Sequence, residues 1–416
     1  MNKRLAGLGL PLFILLPLSG FLFSLFDFKS KKSAFIYVAF SILYGYSISF
    51  SETGADSYRY ALAFANFDNS LNYDRIITLY QLGELRDLYR LILFYLTSIF
   101  TSNPKVMYAL AGGIYGFLSY LNLRILLNQK KQSSDKYIFL LILIFFTFVS
   151  LSNINGFRFW TGAMLLFYSS YHFILKKKNF WVFGVLVTPL FHYGFMPVMP
   201  LIIIYKFFLH PFLYNESGVS PILYYLFITS FIISWVLSTN SIDIGFIKDN
   251  DVFSGEVANR IEFLNSERAT SIVKSRVESS LFLSVQKYFN IFIKIYVFIA
   301  VLFLKNRILK IKGNKLEYNT ILAFVMFFYS FAFIATSFPS GARFLNIAHL
   351  FLMLLMVIMY VKYSNRNFKK IISWSLPVFS FNILFTNGML SWLILTPTFW
   401  YGNFFWIIIE GLDFII

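Results

Sequence analysis

Three basic residues stand at or near the ends of long uncharged runs: Arg158, His192 and Arg343. Arg158 divides Ile138–Phe157 from Phe159–Leu175, and Arg343 divides Tyr318–Ala342 from Phe344–Val361. An arginine beside so much apolar chain is costly unless it meets water or an anionic partner. Its rigid fork of donors suits two-point capture of phosphate oxygens. A histidine adds a group that can hydrogen-bond a hydroxyl or take its proton near neutral pH. Two arginines and a histidine facing one aqueous side would make a catalytic site for something negatively charged. The plainer alternative is a lipid-headgroup contact for each arginine and a packing role for His192.

Turn-forming residues precede each arginine. Asn153-Ile154-Asn155-Gly156-Phe157 leads into Arg158, and Ser337-Phe338-Pro339-Ser340-Gly341-Ala342 leads into Arg343. Asn155 is expected to touch substrate, and Ser340 to add anion contacts beside the backbone N–H groups of a helix start. His349, a turn or two beyond Arg343, is expected to be structural. The segment Glu52-Thr53-Gly54-Ala55-Asp56-Ser57-Tyr58-Arg59-Tyr60 follows an apolar run. Asp56 is a candidate base or sugar-hydroxyl acceptor there, and Tyr58, Arg59 and Tyr60 are candidate substrate contacts. Tyrosines at this level are also ordinary interfacial residues. Asp249, with Asp251 and Glu256, supplies a competing carboxylate in a later segment.

The chain has no cysteine, which removes disulfides and thiolate catalysis. Asp249-Asn250-Asp251 lacks the regular ligand spacing and terminal Glu of a calcium loop. No zinc-like cluster, phosphate loop or dinucleotide fingerprint is present, so neither metal nor cofactor is expected.

The elements that must hold these residues are membrane helices. Of the 416 residues 58% are hydrophobic and 13% charged. The net charge of +17 suggests nucleic acid only until its distribution is read. Basic residues cluster in short gaps between apolar runs, at Lys29–Lys32, Arg124–Lys136, Lys176–Lys178, Lys305–Lys315 and Lys362–Lys370. That pattern marks a cytoplasmic face. Two acid-balanced outward loops, 52–87 and 240–285, lie opposite. The expectation is one all-α, polytopic integral membrane domain over 1–416. It would have roughly twelve to fourteen membrane helices, some short or re-entrant.

Four details refine this. Leu5–Phe26 reads as a retained first helix rather than a cleaved signal. Leu88–Phe100 is short enough to be interfacial or re-entrant beside the spanning Val106–Leu123. Phe180–His210 joins two cytoplasmic lysine groups, which requires two short helices meeting near His192. Ile371–Ile409 is long enough for two crossings, with Thr386-Asn387-Gly388 as the turn.

Taken together, Gly54-Ala55-Asp56-Ser57-Tyr58-Arg59-Tyr60, Asn155-Gly156-Phe157-Arg158-Phe159-Trp160, Phe191-His192 and Gly341-Ala342-Arg343-Phe344 resemble motifs of the bacterial O-antigen and exopolysaccharide polymerases (Wzy-like), especially the EpsG-like branch. Phe159 stands where that branch usually has glutamine. The resemblance implies a metal-independent glycosyltransferase of the bacterial inner membrane, with its active site facing the periplasm. Its donor and acceptor would be undecaprenyl-pyrophosphate-linked oligosaccharides, joined into polymer within the lipid bilayer. A chain-length regulator would be a candidate partner, and nucleic acid would not. Arg158 and Arg343 would serve the pyrophosphate or acceptor, with His192 or Asp56 as base. An O-antigen ligase shares the leaving group and is the alternative enzyme. A lipid-linked glycan transporter is the alternative without chemistry, and Lys287 and Lys294 in one apolar helix are the feature that would favour it.

Overall fold

The computed structural model describes residues 8–25, 28, 30–50, 56–67, 78, 87–129, 136–236, 281–311, 315–338 and 341–412. It is 85% helical with almost no strand: an all-α polytopic membrane protein. Among the described residues seven helices are long and apolar enough to cross a membrane, and three shorter apolar helices accompany them. One of the seven, the continuous stretch Lys136–Leu175, is 40 residues long. It is not a single rod. The rings of Phe145 and Phe167 lie 6.4 Å apart, whereas a straight helix would separate them by ~33 Å. The chain therefore doubles back between them.

The first elements are α1 (Gly9–Leu15), α2 (Pro17–Ser24) and α3 (Lys31–Tyr46). The retained single helix expected over Leu5–Phe26 is instead broken at Leu16-Pro17. Proline disfavours helical backbone in the residue before it and cannot donate a hydrogen bond itself. Leu16 is accordingly extended, with φ −144° and ψ 91°. The two halves fold together, since a Cβ on Gly9 would sit 3.4 Å from the Gly20 carbonyl oxygen.

Next come α4 (Asp56–Ala65), α5 (Leu88–Ser98) and α6 (Pro104–Asn128). The 11 residues of α5 cover ~16 Å, too little to cross a bilayer. Only α6 therefore makes the single crossing that the charge pattern demands here. It packs closely on α3 through small residues, as membrane helices do when backbones must approach. A Cβ at Gly112 would collide with the Ser41 carbonyl oxygen, and one at Gly45 with the Tyr108 carbonyl oxygen. Neither obstacle is a side chain that could swing away. Gly112→Leu is expected to cost more than about 3 kcal/mol of stability, read as loss of the monodisperse species or a lowered thermal midpoint in detergent. Gly113→Ala, whose Cβ would meet only the Ile42 side chain at 3.1 Å, is the control that melts like the wild type.

Helices α7 (Lys136–Phe148) and α8 (Phe157–Ser170) are the two limbs of the doubled-back stretch, joined by a tight 3-10 turn at Leu151–Gly156. Then α9 (Val182–Phe191) and α10 (Val198–Ile204) form the short helical pair expected around His192. Their hairpin shape follows from ring contacts. Trp181, before α9, stacks on His172 at 5.2 Å beyond the end of α8, Phe195 stacks on Phe159 at 5.0 Å near its start, and Phe207 returns to Phe173 at 5.7 Å.

The remainder comprises α11 (Pro221–Val236), α12 (Leu281–Leu309), α13 (Lys315–Ala335), α14 (Arg343–Tyr363) and α15 (Arg366–Phe381). Helices α13 and α14 form the centre and are mostly buried, whereas Arg366–Ile394 lies largely at the outside. The turn expected at Thr386-Asn387-Gly388 is not formed. A π-helical segment, Asn382–Gly388, carries α15 onward to Ile394 instead. The Asn387 amide donates to the Thr147 carbonyl at 3.1 Å, so this segment is held by packing against α7. The bend comes later, where Ile48 and Leu395 form an antiparallel bridge. A last helix, α16 (Phe404–Leu412), follows.

Both ends of the bundle sort as the charge pattern requires. Lys136 and Lys369 share the Tyr137 ring at 5.4 and 5.6 Å, Lys362 pairs with Glu317 at 3.8 Å, and Lys305 covers Tyr224 at 3.5 Å. Arg158, His192 and Arg343 lie at the opposite end.

Candidate functional site

The site is built on the turn that reverses α7 into α8. Ser150 ends the first limb, its hydroxyl accepting the Ser152 N–H at 3.2 Å. Two tyrosines of α6 fasten the turn from outside: Tyr115 donates to the Ser150 carbonyl at 2.8 Å, and Tyr108 to that of Asn155 at 3.5 Å. The Asn155 side chain accepts the Ser57 N–H at 3.0 Å, tying the start of α4 to this turn. Asn155 thus works as a brace, with its side-chain oxygen already engaged.

Arg158 lies in the first turn of α8 with 13% of its side chain exposed. Its Nε donates to the Tyr60 hydroxyl at 2.8 Å, and the guanidinium carbon stands 4.8 Å from the centre of that ring. One terminal nitrogen donates to Asp87 Oδ2 in an ion pair. The Asp87 side chain has no exposed surface, and its other oxygen accepts the Tyr193 N–H at 3.1 Å. Burial pushes the Asp87 carboxyl above its ordinary range, opposed by the Arg158 guanidinium and the Tyr193 N–H. Asp87 is the residue that sequence reasoning missed.

His192 is half-buried at the tip of the α9–α10 pair. Its Nδ1 accepts the Gly194 N–H at 3.0 Å. The neutral ring must then carry its proton on Nε2, which makes that nitrogen a donor. The ring meets Phe159 edge to face at 5.4 Å. Arg343 opens α14, half-buried, its guanidinium 5.4 Å from the centre of the same Phe159 ring. No acid and no hydrogen-bond acceptor pairs with Arg343 among the described residues. Phe159 thus separates His192 from Arg343 and touches both, one residue beyond Arg158.

The structure brings Asp56 to the same place. A Cβ on Gly156 would lie 3.7 Å from Asp56 Oδ2, and Asp56 pairs with Arg59 on its own helix. Tyr58 is half-buried and Arg59 exposed. Tyr60, a candidate substrate contact, is instead 8% exposed and held beneath Arg158. His349 is structural, as expected: 3% exposed, with Nδ1 2.7 Å from the Tyr329 hydroxyl. Ser340 and Asp249, like Asp251, Glu256 and most of both outward loops, lie outside the described residues. Nothing is described of the Lys287 side chain, and Lys294 is half-buried in α12.

No family model matches the chain, and no curated protein or solved structure matches it either.

Proposed function

We propose that the chain is a polysaccharide polymerase that joins undecaprenyl-pyrophosphate-linked oligosaccharide repeats at the periplasmic face of the bacterial inner membrane. The observation that supports this reading is that His192 and Arg343 both contact Phe159, the neighbour of Arg158, while Asp56 approaches Gly156 two residues before that arginine.

In the proposed reaction a hydroxyl of the acceptor repeat attacks the anomeric carbon of the donor's reducing-end sugar. The new glycosidic bond forms as the bond from that carbon to the diphosphate oxygen breaks. The hydroxyl proton passes to Asp56, whose carboxylate lies beside Gly156. Undecaprenyl pyrophosphate leaves with the bonding electrons. Arginine charge at the mouth and the Nε2–H of His192 meet the negative charge that develops on it. His192 is a donor in this scheme rather than the base, because its Nδ1 already holds the Gly194 N–H.

Guanidinium groups in place of a divalent cation make the expected reaction independent of metal. Purified protein given lipid-linked repeats should produce a ladder of longer carrier-linked chains at the same rate with and without a chelator. Glycan appearing on lipid A core instead would replace the polymerase with a ligase. A rate that collapses with chelator and returns with magnesium would remove the arginines from the leaving-group role.

A further inference from the structure

We infer that the two arginines divide the work: Arg343 meets the leaving diphosphate, whereas Arg158 is a positioning residue whose charge is answered by Asp87. The inference rests on the reading of this site as the place where a lipid diphosphate departs, and it goes further by separating two residues that the sequence presents as equivalent.

Arg158 is largely buried and already carries an ion pair. Its Nε is given to Tyr60, a terminal nitrogen to Asp87, and 13% of its side chain remains exposed. For an anion to take Asp87's place, a carboxylate with no exposed surface would have to stay buried without its cation, which is strongly unfavourable. Asp87 meanwhile holds the Tyr193 N–H, and Tyr193 adjoins His192. The Asp87–Arg158 pair therefore works as a clasp. It fastens the start of α8 to the hairpin tip that presents His192 to the substrate.

Around Arg343 the geometry is open. The guanidinium rests on the Phe159 ring at 5.4 Å, and no acid or acceptor among the described residues engages its donors. A cation–π contact uses none of the guanidinium's N–H donors in a hydrogen bond, which leaves them for phosphate oxygens. His192 contacts the same ring edge to face at 5.4 Å, so one aromatic side chain touches both residues.

The test uses full-length protein in lipid nanodiscs, with Arg158→Met, Asp87→Asn, the two combined, and Arg343→Met alone or with Asp87→Asn. Rates of repeat lengthening and the shift in melting temperature caused by inorganic pyrophosphate are measured for each. Arg158→Met strands the Asp87 carboxylate and should be severely impaired. Adding Asp87→Asn removes that stranded charge while its amide oxygen still accepts the Tyr193 N–H, so lengthening should recover about tenfold or more. The pyrophosphate shift should persist in this double variant. Arg343→Met should lose lengthening by about 10²–10³-fold and lose the pyrophosphate shift, with no recovery from Asp87→Asn.

A double variant that folds and melts like the wild type yet stays as inactive as Arg158→Met would place Arg158 on the substrate and overturn the inference. If the wild type itself neither lengthens repeats nor responds to pyrophosphate, the polymerase reading falls. Recovery of the Arg158→Met melting temperature by Asp87→Asn would then still report on the clasp by itself, and absence of that recovery would overturn it.

Discussion

Arg343→Ala should leave a folded, monodisperse protein that no longer lengthens lipid-linked repeats. Both halves of this result follow from the contacts of one side chain. Arg343 makes no ion pair or hydrogen bond among the described residues, so truncation strands no buried partner. In the proposed reaction what is lost is a cation beside developing phosphate charge, and removing one such donor slows turnover by about 10²–10³-fold. Arg343→Lys restores the charge but not the two-point fork, and its rate should fall between those of Arg343→Ala and the wild type. Chain length on gels reports turnover, and size-exclusion elution with a thermal melt reports the fold. Wild-type ladders from Arg343→Ala would exclude this residue from the reaction.

Asp87→Ala should behave in the opposite way, with its main effect on stability. The substitution leaves the Arg158 guanidinium largely buried without its carboxylate and deprives the Tyr193 N–H of its acceptor. Breaking a buried pair from one side costs about 3–5 kcal/mol, which in a membrane protein of this size means a markedly lowered melting temperature or failure to accumulate. Asp87→Asn keeps an acceptor for Tyr193 and should fall between Asp87→Ala and the wild type. Equal melting of all three proteins would mean that the pair contributes nothing to holding the fold.

Much of the architecture is legible in residue order because the bilayer enforces simple rules. Lysine clusters mark one end, and the alternation of apolar runs places Arg158, His192 and Arg343 at the other. The short helices meeting at His192 follow from the signs of the flanking charges. Other features depend on contacts that no local pattern encodes. Asp87 is one acid among several in an outward segment, and only packing against α8 distinguishes it. Thr386-Asn387-Gly388 carries a strong turn signal, yet the helix runs through it. In an apolar setting the chain keeps its internal hydrogen bonds unless something else satisfies them. Leu16-Pro17 is the reverse case, a break visible in the residues but masked by the uniform hydropathy around it. Gly112 and Gly116 have the small-x-x-x-small spacing of close helix contacts. That spacing is legible in residue order, though it names neither the partner helix nor the depth of the contact.

The order in which the clasp residues occur along the chain has a consequence for biosynthesis. Tyr60 and Asp87 are synthesised before Arg158, so the groups that receive its guanidinium are already made when that arginine must reach the far side of the bilayer. A lone guanidinium in transit through hydrocarbon is costly, and a waiting carboxylate and phenol shorten the time it spends unpaired. Arg343 emerges long afterwards, with no acid to receive it among the described residues. Its ring partner Phe159 is likewise made first, so the turn that carries Arg158 is complete in the chain before the last of the three basic residues is added.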